Sequence, residues 1–358
     1  MKLLDKYLIK KFLFDLLFGI SAFIAIFLIV DLIENIDKFI DKKATAIQVI
    51  LYYIYYIPHI ISLTLPVGML LATLFSIGNM TQHNEIVAQK SAGVSLYRIF
   101  MPLFITAFVI SIFAGLFSET VVPWASQRKY DLYRYDIKKN PRTIGKNRNN
   151  IYIQDTANRK TSIGFYNGRT NEAQKVSVLY FDGAVLLKRI DAQTMKWDNQ
   201  KWTLRNIVER SFEDSLEEVI SYPELIIDDL RFKPENLMEL QKMPEEMSYT
   251  ELDEFVDEMQ SIGSEARKWL VELYLKISYP FANFIIVLFG APLAARKRRS
   301  GTAVGVGISL LVCFIYFLFI RTGQVFGHQG TLSPFLGAWF GNIIFAVAGL
   351  FTLIKARM

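Results

Sequence analysis

Apolar positions gather into six long runs, at about 12–33, 49–77, 99–122, 269–294, 302–322 and 334–354. A helix of about 20 residues crosses the ~30 Å hydrocarbon core of a bilayer, so each run predicts a membrane-spanning helix. The first, "FLFDLLFGISAFIAIFLIVDLI", is longer than the core of a cleaved signal and is followed by no small-residue cleavage site. It is expected to remain as a helix. Pro58 and Pro66 in the second run predict a kinked or tilted helix.

The pattern changes between the third and fourth runs. "NIYIQD", "TSIGFYN", "KVSVLYFDGAVLLKRIDA" and "KWTLRNIVERSF" are short, β-branched and aromatic, punctuated by Asn, Gly and Asp. They predict an inserted all-β domain, a sandwich or jellyroll, over 123–247. "MSYTELDEFVDEMQSIGSEARKWL" then predicts a connecting helix over 248–268, with a capping box from Ser248 to Glu251 and a break at Gly263. The organisation expected is spans 1–3 in 1–122, the β-domain, the connecting helix, and spans 4–6 in 269–358. No internal repeat relates the halves.

One polar interruption is too long for its place. "GNMTQHNEIVAQKSAGVSLYR", Gly78 to Arg98, separates the second and third spans, where a handful of residues would suffice for a turn. Asn84 and Glu85 begin an amphipathic helical segment, and Ala92–Gly93 is read as a small, close-approach corner before the third span. Such a helix can present a lever to a cytosolic motor, its acid pairing with a basic partner; it can equally lie on lipid headgroups.

Composition supports the membrane reading. Hydrophobic residues make up 52% of the chain and the mean hydropathy is +0.26, too apolar for soluble domains. Lys2, Lys6, Lys10, Lys11, Lys90, Arg98, Arg296, Lys297, Arg298, Arg299, Lys355 and Arg357 fall on one side of the spans; Lys38, Lys42, Lys43 and Arg321 fall on the other. This bias predicts both termini in the cytoplasm and the insert outside it. The net charge of +6 is mostly that bias, so it is no argument for nucleic acid. A single cysteine, Cys313, excludes a disulfide framework, and the scattered His59, His83 and His328 argue against a metal centre.

The chemistry sought along the chain is missing. There is no G-x-x-x-x-G-K-[ST] loop to cradle a nucleotide, no G-x-S-x-G and no H-E-x-x-H, so the chain reads as a non-enzyme. The basic run Arg296–Arg299 sets topology and meets anionic headgroups. Gly301, Ala303, Gly305 and Gly307 are expected to allow tight helix packing. Asn283, Asn342 and His59, deeper in the spans, are read as interhelical hydrogen bonders. Asp31, Glu34, Glu119 and Arg321 sit near outer span ends, and Asp15 near an inner one.

"LLDKYLIKKF", "LPVGMLLATLFSIGNMTQHNEIVAQKSAGVSLYRI", "KWTLRN" and "FANFIIVLFGAPLAARKRRSGTAVGVGISLLVCFIYF" together resemble the lipopolysaccharide export permeases, the LptF/LptG family, over nearly the whole chain. The first of these and "VDLIENIDKF" incline the resemblance to the G branch. It implies a six-span subunit of an inner-membrane ABC transporter with a periplasmic β-jellyroll. Two such permeases pair with two copies of the ATPase LptB, which binds ATP and Mg; the permease itself needs no cofactor. Lipopolysaccharide is taken from the membrane and passed to LptC and LptA. The family's coupling helix maps onto Asn84 to Ser95, with Glu85 at its acidic position and Ala92 and Gly93 at its close. Basic groups meeting the lipid phosphates are sought at the outer rim, where Arg128, Arg321, Lys38 and Lys42 are the candidates. Asp131 and Glu34 depart there from a basic rim. The rival readings are another envelope lipid or lipoprotein exporter and a non-transporting assembly scaffold. Lipoprotein permeases carry four spans with the outer domain after the first, whereas here the insert follows the third.

Overall fold

The computed structural model describes residues 3–139, 147–156, 158–183, 185–198, 201–213, 216–230, 232–234, 237, 243–261, 266–295 and 302–355. The basic run 296–299 and Gly263 lie outside them. Contacts divide the chain into two compact units: Met1–Lys138 with Pro244–Leu252 and Arg267–Met358, and Lys139–Met243 with Asp253–Ala266.

The first unit is helical. α1 (Leu3–Asp41), α2 (Ala46–Gln82), the short α3 (Glu85–Ser91) and α4 (Leu96–Asp131) precede the β-domain. α5 (Tyr249–Ser261) follows it and leads to α6 (Arg267–Ala294), α7 (Thr302–Gln329) and α8 (Pro334–Lys355). Six of these helices are long and apolar enough to cross a membrane, as the six runs predicted. α2 and α6 form the centre, with Leu70, Met69, Ile77, Ala282, Ile286 and Val287 fully buried. Thr45 and Gln48 cap α2 reciprocally: the Thr45 amide donates to Gln48 Oε1 at 2.9 Å and the Gln48 amide to Thr45 Oγ1 at 3.3 Å. Ser248 and Glu251 form the expected box on α5, at 2.9 and 3.2 Å.

Two expectations are corrected here. The third span does not yield to the insert at Pro123: α4 runs through that proline to Asp131 and closes with a π-helical turn, Leu132–Ile137. Aromatic packing on α2 carries it past the lost amide donor. Trp124 meets Tyr55 at 5.9 Å and Tyr133 meets Tyr52 at 6.0 Å between ring centroids. Of the small residues expected to pack tightly, the surroundings of Gly301, Ala303 and Gly305 lie outside what the structure describes, and Gly307 does not pack closely. A Cβ on Gly307 would meet nothing within 4 Å, but one on Gly337 would lie 2.8 Å from the Gly323 carbonyl and 2.9 Å from Gly327 Cα. Gly323 and Gly327 on α7 face Gly337 on α8, and Gly341 one turn further on meets the Ile320 backbone, two four-residue spacings that let the backbones touch. Of the predicted hydrogen bonders, Asn342 does join helices: it donates to the Ser278 carbonyl at 2.6 Å and accepts from Tyr316. Asn283 instead donates to the Pro280 carbonyl of its own helix, and His59 stacks on Tyr56.

The second unit carries six antiparallel strands in sequential order: β1 (Asn147–Thr156), β2 (Arg159–Asn167), β3 (Glu172–Asp182), β4 (Val185–Asp198), β5 (Lys201–Glu213) and β6 (Leu216–Ile227). The inserted all-β domain is therefore present, and its described strands form one meander. A line crosses it through Asn150, Gly164, Lys175, Gln193, Asn206 and Pro223, at which all five pairings skip a partner without changing register. Lys175 and Asn206 have φ of 54° and 51° there. The in–out alternation inverts at this line. Ile163 and Tyr166 are both buried on β2, Ala173 and Val176 on β3, Ala192 and Met195 on β4, Leu204 and Ile207 on β5. A two-residue period would put each pair on opposite faces, so the line is a crease that keeps one face apolar on both sides. Trp202 fills one half, its indole donating to the Phe232 carbonyl at 2.8 Å. Tyr166, whose hydroxyl donates to Asn171 Oδ1 at 3.1 Å, is pushed up to about 12 by burial.

Candidate functional site

The polar interruption folds as a helix–turn link with little slack. α2 ends at Gln82, Asn84 takes a left-handed φ of 57°, and α3 begins at Glu85. Ile86 is its buried anchor; Val87, Ala88, Ser91 and Ala92 are exposed. At the other end the Gly93 amide donates to the Lys90 carbonyl at 2.9 Å and the Val94 amide to the Gln89 carbonyl at 3.0 Å. This pair of bonds is a Schellman close, which requires a residue at positive φ; Gly93 supplies it at 81°. An added Cβ there would meet nothing within 4 Å, so Gly93 serves the turn and not the close approach expected from the sequence. Ser95 then caps α4 by accepting from the Arg98 amide at 3.3 Å.

Glu85 is half-buried and its Oε1 lies 3.5 Å from the Tyr7 hydroxyl of α1. Close by, Arg98 Nη1 and Nη2 donate to the two carboxylate oxygens of Asp5 at 3.0 and 2.9 Å. In the sequence Arg98 reads only as a topology charge, and Asp5 carries no signal of its own. Their separation of 93 residues leaves no local signal, so only the fold pairs them.

The opposite end of α4 holds a different arrangement. Arg128, chosen from the sequence, is exposed; its neighbour Lys129 is 7% exposed. The Lys129 ammonium sits 4.3 Å from the ring centroids of Tyr56 and Tyr130 and 5.8 Å from that of Tyr52. Among the described residues no carboxylate is within ion-pairing distance of it, although Glu245, Asp31 and Glu246 are in its electrostatic neighbourhood. Asp31 is engaged by the Tyr53 hydroxyl at 3.0 Å, and Glu246 by a bidentate Arg134 at 2.9 and 3.1 Å. The tyrosine faces stabilise the cation through their quadrupoles while leaving its three N–H donors uncommitted.

The remaining rim candidates are dispersed. Lys38 donates to Asn35 Oδ1 at 2.6 Å on its own helix, and Lys42 is exposed. Arg321 donates to Gln324 Oε1 at 2.7 Å, and Gln324 in turn to Glu272. It borders an apolar cavity of about 470 Å³ with Phe314, Phe317 and Phe326. Glu119, a conceivable partner for Arg321, instead accepts from the Tyr249 amide at 2.6 Å. The fold thus gathers Asn84, Glu85, Ala92 and Gly93 on one loop, but it does not bring Arg128, Arg321, Lys38 and Lys42 together.

Six long apolar helices, an inserted sheet domain and a helix in the loop between two spans define a multi-pass membrane protein of the permease type. The chain belongs to the lipopolysaccharide export system permease LptF/LptG family, which it matches over residues 6–355. It is similar to the lipopolysaccharide export system permease protein LptG of Haemophilus influenzae, 22% identical over 311 residues and 84% of each chain. It is likewise similar to the LptG protein of Escherichia coli K12, 21% identical over 320 residues and 85% of each chain.

Proposed function

We propose that the chain is a permease subunit that extracts lipopolysaccharide from the bacterial inner membrane for export, driven by a separate cytosolic ATPase docked on α3. The observation that carries this reading is α3 itself. Its one buried side chain and the Schellman close at its C-terminal end hold a seven-residue helix in fixed register, while the face of Val87, Ala88, Ser91 and Ala92 stays open. A turn alone would need neither. ATP and Mg belong to the partner ATPase, so this chain binds no cofactor and carries out no hydrolysis. A second LptF/LptG-type permease completes the membrane part. Both termini and α3 are cytoplasmic, and the creased sheet is periplasmic and jellyroll-like, passing lipid to LptC-like and LptA-like bridge proteins.

At the outer rim we assign the phosphate contact to Lys129, with Arg128, Arg321, Lys38 and Lys42 supplying long-range attraction. Phosphate enters an apolar cavity only when paired, and Lys129 is the cation with uncommitted donors in a low-dielectric setting. The docking assignment is tested by Glu85→Ala in the full complex. A carboxylate desolvated against a basic partner is worth a few kcal/mol on truncation, so co-purified ATPase should fall by about tenfold or more. Normal ATPase recovery with normal transport would overturn it.

A further inference from the structure

α1 is buried most deeply over its first turns and more lightly beyond them, where Asp31 accepts from the Tyr53 hydroxyl of α2 at 3.0 Å. Its buried positions Asp5, Leu8, Phe12, Leu16 and Gly19 form a single helical stripe, and none follows until Phe39. Between them Ile26, Ile29 and Ile33 are 55%, 58% and 68% exposed. At 1.5 Å per residue the stretch 20–38 is about 28 Å long, so a tilt of the first turns is carried along one continuous helix to its outer contacts with α2 at Asp31 and Phe39.

Those first turns are tied to α3 through Tyr7 and Glu85 and to the first turn of α4 through Asp5 and Arg98. A cavity of about 330 Å³, bordered by Leu4, Leu8, Met80, Val94 and Ile99, lies beside the second tie. Apolar packing is thus incomplete where the ion pair spans from α1 to α4. The Asp5 side chain is 11% exposed and that of Arg98 43%, so the carboxylate is sequestered while its partner reaches in from the loop side. The chain between α3 and Arg98 is short and fixed at both ends: the Schellman close ends at Val94 and the Ser95 cap holds the Arg98 amide. Displacing α3 therefore displaces Arg98.

We propose that the Asp5–Arg98 pair is the link that passes movement of α3 to α1, with Arg98 a positioning residue for the transport cycle. This rests on α3 being the motor contact. A bidentate guanidinium–carboxylate pair fixes direction as well as distance, which a sliding apolar contact would not.

The test uses the whole complex, both permeases with the ATPase, in proteoliposomes containing lipopolysaccharide. Arg98→Ala and Asp5→Asn should retain the ATPase and its hydrolysis while lipid released per ATP falls by about tenfold, the scale of a typical coupling between sites. The swapped pair, Asp5→Arg with Arg98→Asp, should restore most of that ratio. Spin labels at Ile33 and Ile54 should report an ATP-dependent distance change that Arg98→Ala abolishes. Unchanged lipid per ATP in Arg98→Ala, or a swapped pair that assembles without regaining coupling, overturns the link. Should the single variants fail to fold, the swapped pair alone decides. Failure of the motor reading looks different: Glu85→Ala would then keep both ATPase and transport, whereas loss of ATPase in Glu85→Ala with full coupling in Arg98→Ala sinks the link alone.

Discussion

The two ends of α4 each hold a cation, and they do so in opposite ways. At the start of the helix, Arg98 is committed: both terminal nitrogens are spent on one carboxylate at about hydrogen-bonding ideal, 2.9 and 3.0 Å. At the far end, Lys129 is enclosed by tyrosine faces with no acid in bonding range among the described residues. A bidentate pair is a fixed joint, because its geometry is lost on small rotation. An ammonium held by π faces keeps its hydrogen-bonding capacity for a visitor. One helix thus carries a mechanical contact at one end and a vacant donor set at the other, and charge alone does not separate the two roles.

Substitutions along the far end grade the comparison. Lys129→Ala should weaken lipopolysaccharide binding to the purified complex by about 10- to 100-fold, the worth of a charge-assisted hydrogen bond. Tyr56→Leu removes one face of the enclosure and should cost about 2- to 5-fold, in the range of a single cation–π contact. Arg128→Ala, one residue away but exposed, should change binding by less than about 2-fold, as exposed charges do. Equal effects of Arg128→Ala and Lys129→Ala would erase the distinction between enclosed and solvated cations. The sheet domain supplies a control in the second unit. Its Tyr166 phenol has a raised folded-state value, about 12. Stability from keeping it neutral is complete below the unfolded value near 10 and is lost as pH rises through the folded value. Unfolding of the domain followed by tryptophan fluorescence should therefore become easier from about pH 10 to 12. Tyr166→Phe should flatten that dependence, while leaving lipid binding at neutral pH unchanged.

Much of the architecture was legible because its signals are long. Six apolar runs and the β-branched insert leave few alternatives, and the interruption before Arg98 exceeded what a turn needs. Single residues were harder. Which of Arg128 and Lys129 turns inward depends on α4 continuing past Pro123, and that depends on aromatic contacts with α2 that no local pattern announces. Gly323, Gly327, Gly337 and Gly341 do carry a signal, a four-residue spacing on consecutive helices, but the small residues after the basic cluster show a similar pattern in the sequence. The crease had weak markers, Gly164, Asn206 and Pro223, at unrelated points of the sequence; the pairing register aligns them. Gly93 was recognised, but for the wrong reason: its conformation, not its size, is what the turn uses.

The account turns on α3 being the surface on which a motor acts. Cys313 is the single cysteine of the chain and is buried, so a cysteine introduced at Ala88 on the exposed face of α3 is the one accessible thiol this subunit offers. The measurement is cross-linking of the Ala88→Cys complex with a short thiol–amine reagent during ATP turnover, beside a Leu187→Cys control on the exposed side of β4. The account predicts an adduct between this chain and the ATPase from Ala88→Cys, varying with nucleotide, and none from Leu187→Cys. No ATPase adduct from Ala88→Cys in a complex that hydrolyses ATP and releases lipid would contradict it.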